Sequence, residues 1–183
     1  QINGDRTQGN FPVNWSHPVF TSGPDGDIYV VGVSGQFNGR SFTQAEITTS
    51  NGQVGSVLAF NVNDDTFHSL TDSVDENLAT HVIATNTANS EYIFVTYWND
   101  TTNPARGPKY SGEIVAIKLT DPFGTNGLIE LVHHRTSIAN EYYYGNTLPT
   151  IRPDGTQLVF SSTWGETQGS VSTYILDLTS KLL

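Results

Sequence analysis

The sequence has no cysteine and no methionine, and it carries only 8 lysines and arginines against 18 aspartates and glutamates. Without cysteine there is no disulfide framework, no thiol nucleophile and no cysteine-ligated zinc. The few cations (Arg6, Arg40, Arg106, Lys109, Lys118, Arg135, Arg152 and Lys181) are scattered, and the formal net charge is −10. No basic stripe exists to follow a phosphate backbone, so the chain is not expected to bind nucleic acid. No apolar run reaches the roughly 18 residues that a membrane-spanning helix needs. The phosphate-binding glycine loop, the Gly-x-Ser-x-Gly elbow and the His-Glu-x-x-His pair are all missing. Helical periodicity is almost absent too. The first residues are Gln1-Ile2-Asn3 rather than methionine, as expected of a processed or truncated product.

What is present is polar, turn-rich and β-forming. Asparagine, threonine, serine and glycine are abundant, and Asn14 and Asn99 sit in glycosylation triplets. An exported protein, extracellular or periplasmic, is the expectation from this mix. Three stretches share one pattern: "HPVFTSGPDGDIYVVGVSG" from His17, "HVIATNTANSEYIFVTYWN" from His81, and "LPTIRPDGTQLVFSSTWG" from Leu148. Each is an extended segment, a tight turn and a short apolar strand, and the turns end at Gly26, Ser90 and Gly155, 64 and 65 residues apart. Proline at the start of such a turn presets φ, and glycine supplies the positive φ that other residues resist.

Other segments run in step with these. "GSVLAFNVN" (55–63), "GEIVAIKLT" (112–120) and "STYILDLT" (172–179) form a third class of strand, and "TFHSL" (66–70) and "LIELVHHR" (128–135) a fourth. The last unit has no fourth segment. Units of four strands at a period of roughly 60 residues predict an all-β fold. The architecture expected is a β-propeller of about three four-stranded blades belonging to a larger ring, with repeats over 17–80, 81–146 and 147–183. A β-sandwich is the alternative. Because a ring needs about four blades, another copy or another chain is expected to complete it.

The segment "LVHHRTSIANEYYYGNTLPTIRPDGTQLVFSSTWGETQGSVSTYILDL" (131–178) resembles the last blade of exported bacterial propellers. These are the TolB-like and WD40-like β-propeller proteins and the propeller-fold polysaccharide lyases, such as oligogalacturonate and ulvan lyases. The likeness lies in His133-His134, the Tyr142–Tyr144 cluster, the Pro-Asp-Gly turn, the Phe160-to-Trp164 run and "TYILDL". Where the family often carries His-Pro, this chain has Leu148-Pro149, while His17-Pro18 keeps the pair in the first unit.

The resemblance implies a carbohydrate-related function, binding an acidic polysaccharide or cleaving it by β-elimination. A noncatalytic protein-binding scaffold of TolB type and a structural subunit completed by another chain are the alternatives. Elimination needs a group to neutralise a uronate carboxylate, a base and an acid. His134, Arg135 and Tyr143 are the candidates for those tasks. The long loops after each second strand open on one rim, together with the loop 134–146, and such loops concentrate binding residues. Trp98, Arg106, Lys109, Tyr144 and Trp164 are therefore the candidate substrate contacts. Finally, His17 and His81 each stand nine residues before the end of their turn. Equivalent positions on innermost strands converge on a central channel, where two imidazoles are candidate ligands for a divalent metal.

Overall fold

A computed structural model of the chain describes residues 15–34, 57–71, 79–85, 91–97, 110–136, 147–164 and 171–182. Eleven strands are present among them: β1 (Trp15–Ser22), β2 (Ile28–Ser34), β3 (Val57–Asn61), β4 (Thr66–Ser69), β5 (Ala79–Ala84), β6 (Tyr92–Tyr97), β7 (Glu113–Lys118), β8 (Leu128–His133), β9 (Thr150–Ile151), β10 (Gln157–Ser162) and β11 (Ser172–Asp177). No helix occurs among the described residues, and none is long and apolar enough to cross a membrane. The described residues are all-β, as the sequence pattern predicts.

The strands form three antiparallel sheets, each from consecutive strands: β1-β2-β3-β4, β5-β6-β7-β8 and β9-β10-β11. They are called sheets 1, 2 and 3 below. Composition explains the strands. "VLAFN", "YIFVTY" and "EIVAIK" are β-branched and aromatic runs too short for helices, and they are buried almost throughout. A strand covered on both faces reads as a continuous apolar run, which is why these three show no alternation. In β10 the alternation is clear, with Leu158, Phe160 and Ser162 buried and the residues between them less so. Pro18 in β1 has no N–H to give, and the ladder shifts register between Ser16 and Val19 around it.

The turns follow the sequence signals. Gly26 and Gly155 take φ of 86° and 74°, and Gly155 N–H closes its turn on the Arg152 carbonyl at 2.8 Å. A Cβ on Gly155 would meet only the Thr85 methyl, at an ordinary 3.7 Å. The cost of Gly155→Ala is therefore conformational, expected at about 1 kcal/mol in urea unfolding, and Gly155→Asn should cost less because Asn tolerates the left-handed region. An alanine variant as stable as the parent would show that the turn rearranges freely.

Stacking of the sheets obeys one rule. The carbonyls of Ile28, Glu91 and Thr156 each accept the N–H that follows the third strand of their sheet, from Val62, Leu119 and Leu178. Aligned on these carbonyls, Tyr29, Val31 and Val33 correspond to Tyr92, Phe94 and Thr96. The first three face Ile93, Val95 and Tyr97 of sheet 2 in one core. Phe94, on the corresponding face of sheet 2, packs with Ile114, Ala116, Leu131, Leu158 and Phe160 in a second core between sheets 2 and 3. Like faces meet unlike faces, in the same sense, at both interfaces. The first strands also touch: Thr21 Oγ1 donates to the Thr85 carbonyl at 3.3 Å, between positions 64 residues apart.

Candidate functional site

Strands β1 and β5 and the residues leading into β9 border one cleft of about 260 Å³, lined by Pro18, Val19, His81, Val82, Ile83, Leu148 and Pro149. His81 supplies its imidazole and Leu148-Pro149 its third wall. His17 lies in β1, but its side chain is outside the described residues. Among the described residues no group of three or more potential ligands could hold a metal. The expected pairing of His17 with His81 therefore lies outside the described residues.

A second constellation forms where β8, β10 and β11 reach one end of the sheets. After β8 the chain passes through His134, Arg135 and Thr136, and β10 runs out through Ser162 to Trp164. His134 is buried, with Nε2 donating to the Tyr97 carbonyl at 2.8 Å and Nδ1 accepting the Thr136 N–H at 3.1 Å. Burial pushes its pKa down to about 4, outweighing the bond to Tyr97 that favours the charged form. With both nitrogens engaged in the interior, His134 has no free position from which to take a proton. The imidazole expected to be catalytic is held in this way between the end of β8 and the end of β6. His133, next to it, is exposed, and its Nδ1 accepts the Arg135 N–H at 3.0 Å.

Arg135 and Trp164 come together. The guanidinium lies 5.1 Å from the Trp164 ring centre, and that ring stacks on Tyr174 with centroids 4.9 Å apart and planes 26° apart. Tyr174 in turn stacks on Phe160 at 5.5 Å. Trp164 stays 43% exposed, so one side of the assembly is core and the other is solvent. Both residues hold left-handed backbone, with φ of 57° at Arg135 and 52° at Trp164. Such conformations cost about 1–3 kcal/mol each and persist where the surroundings over-determine them.

Here the surroundings are a buried hydroxyl chain. Thr136 Oγ1 is 3.1 Å from Thr147 Oγ1 and donates to Ser162 Oγ at 3.3 Å. Ser162 Oγ donates to the His134 carbonyl and accepts the Trp164 N–H, the latter at 2.8 Å. Arg135 and Trp164 are thus each held one or two residues from a fixed hydroxyl. No carboxylate among the described residues pairs with Arg135. A guanidinium stacked on an aromatic ring keeps its in-plane N–H fork free, a shape that matches a carboxylate or sulfate.

Trp98, Arg106, Lys109, Tyr143 and Tyr144 lie outside the described residues. Thr136, Thr147, Ser162 and Tyr174 are site residues that the sequence expectation did not include. One signal existed: Ser162 follows Leu158 and Phe160 at a spacing of two, so a polar group stands at an inward position of the strand. Comparisons with protein-family models, with curated proteins and with solved structures find no match.

Proposed function

We propose that the chain is part of a β-propeller whose loop-bearing rim binds an acidic carbohydrate, with Arg135 and Trp164 at the centre of the contact. The Arg135–Trp164 pair carries this proposal: a cation with no carboxylate partner among the described residues, fixed against a half-exposed aromatic ring at 5.1 Å. The guanidinium answers the acid group, and the exposed part of the indole answers the C–H face of a sugar. The propeller is supported by the repeated stacking sense of the three sheets and by a common cleft among β1, β5 and the residues leading into β9. Completion of a ring by another copy or chain is supported by the outer face of sheet 3, where Ile175 is 68% and Val171 48% exposed. Binding is favoured over cleavage because both nitrogens of His134 are engaged in the interior.

The test is titration calorimetry of the protein against polygalacturonate, alginate and a neutral glucan. The acidic polymers should bind and the neutral one should not. Loss of a charge-assisted contact worth about 1.5–3 kcal/mol should weaken binding by roughly 10- to 100-fold in Arg135→Ala. Arg135→Lys should recover only part, because an ammonium lacks the planar fork. Equal binding of neutral and acidic polymers, or an unaffected Arg135→Ala variant, would sink the proposal. A rise in the ultraviolet absorbance of an unsaturated sugar would add cleavage to binding.

A further inference from the structure

Away from the Arg135 rim, a cleft of about 600 Å³ opens between the end of sheet 1 and the β7–β8 hairpin of sheet 2. Its volume falls within the range of small-molecule sites. Leu70 and Tyr110, both buried, and the partly buried Leu128 give it an apolar floor. The Tyr110 ring is fixed by packing on Tyr97 at 5.3 Å. Phe123, Asn126 and Glu130 line its open side.

Among the described residues none of these three has a partner, although the loop beneath them is tightly made. Gly124 N–H bonds the Asp121 carbonyl at 3.3 Å, Gly127 N–H bonds Gly124 at 2.9 Å, and Lys118 N–H bonds Gly127 at 2.7 Å. A Cβ at Gly124 would collide with the Asp121 carboxylate, and one at Gly127 with the Pro122 carbonyl. A loop closed this firmly still leaves the Phe123 ring 61% exposed, with no aromatic neighbour among the described residues. Asn126 adopts φ of 57°, and among the described residues nothing bonds its amide and no cation pairs with Glu130. The field on this side is negative. The Glu113 carboxyl is held above its ordinary value by burial first and then by the charge of Glu130, with Lys181 offsetting part of this.

We infer that this cleft binds a small organic cation, an ammonium group carried on an apolar ring or chain. The ammonium meets the Glu130 carboxylate, the hydrocarbon lies against Leu70, Leu128 and the Phe123 ring, and the Asn126 amide serves a hydroxyl or the ammonium itself. No cationic side chain lines the cleft, so an anion finds no partner in it. A neutral apolar ligand would take water from Glu130 and return nothing. The site is separate from the rim at Arg135, and its selectivity has the opposite sign.

The experiment uses phenethylammonium and its neutral counterpart 2-phenylethanol, titrated separately into the protein and followed by NMR chemical shifts. The cation should bind about 10-fold more tightly than the alcohol, the size expected of one charge-assisted hydrogen bond. Glu130→Gln should erase that preference, and Phe123→Ala should weaken both probes alike. Both side chains are exposed, so the variants retain the fold, which circular dichroism verifies. Equal affinity for the two probes, a preference that survives Glu130→Gln, or failure of both probes to saturate would each overturn the inference.

Discussion

Acidification from pH 7 to pH 4 is expected to remove about 3 kcal/mol of folding stability through His134 alone. In the folded chain its pKa is lowered from 6.5 to about 4, because the buried ring has little room for charge. The unfolded chain takes up the proton near 6.5. A group whose folded pKa lies below its unfolded one contributes fully above the unfolded value and loses that contribution as pH falls towards the folded one. The window is therefore from about 6.5 down to 4. His133 is lowered for the same first reason, burial, and acts in the same direction. Glu113 is raised by burial and acts oppositely, since its protonation relieves the folded state. Asp64, Asp154 and Asp177 are lowered chiefly by hydrogen bonds from Thr66, Thr156 and Thr179, and their contribution is lost only below the carboxylate range. Urea midpoints at pH 7 and pH 4.5, for the parent and for His134→Gln, isolate the imidazole. The parent should lose much more stability than the variant. Parallel losses would mean that His134 is not buried neutral.

Phe94→Ala is expected to cost about 3–5 kcal/mol, the range for emptying a large aromatic from a packed interior. Phe94 is 2% exposed and sits between sheets 2 and 3, against Ile114, Ala116, Leu131, Leu158 and Phe160. The ring is the largest buried side chain that sheet 2 contributes to this core, so its loss loosens the contact that seats sheet 3. Ile175→Ala is the matched control for the single chain: its side chain is 68% exposed on the opposite face of sheet 3 and, with no second copy bound there, should change stability by no more than about 0.5 kcal/mol. Urea unfolding of the two variants reads the difference directly. Near-equal values would contradict the face assignment of sheet 3.

The strands were legible because their residues leave little choice. "GEIVAIKLT" is too short and too β-branched for a helix, and "RPDGTQ" turns by proline and glycine chemistry alone. Which face of a strand looks where was not legible. In "IYVVGVS" both faces are apolar, so nothing in the pattern separates Tyr29, Val31 and Val33 from Ile28 and Val30. The turns repeat at 64 and 65 residues, yet the equivalent carbonyls of Ile28, Glu91 and Thr156 are 63 and 65 apart. A one-residue offset is enough to exchange the faces of a strand.

The same limit governed His133 and His134. Adjacent residues point to opposite sides, and the register shift in the β7–β8 ladder between Ile114 and Val115 decides which histidine goes inside. Trp164 was legible as a residue at a strand end, but its left-handed backbone was not, since neither it nor Arg135 is a residue that announces positive φ. Thr136, Thr147 and Ser162 converge from separate segments. Only the packed sheets bring them within hydrogen-bond reach.

Each of the three sheets is drawn from one uninterrupted stretch of chain, and the first is finished before any residue of the third is needed. During synthesis, a sheet can close its ladder as soon as its own stretch has left the ribosome, and its apolar face then serves as a template for the next. Order of emergence and order of assembly coincide. Few long-range searches remain once the last strand appears, which shortens the time its apolar edge is open to other chains.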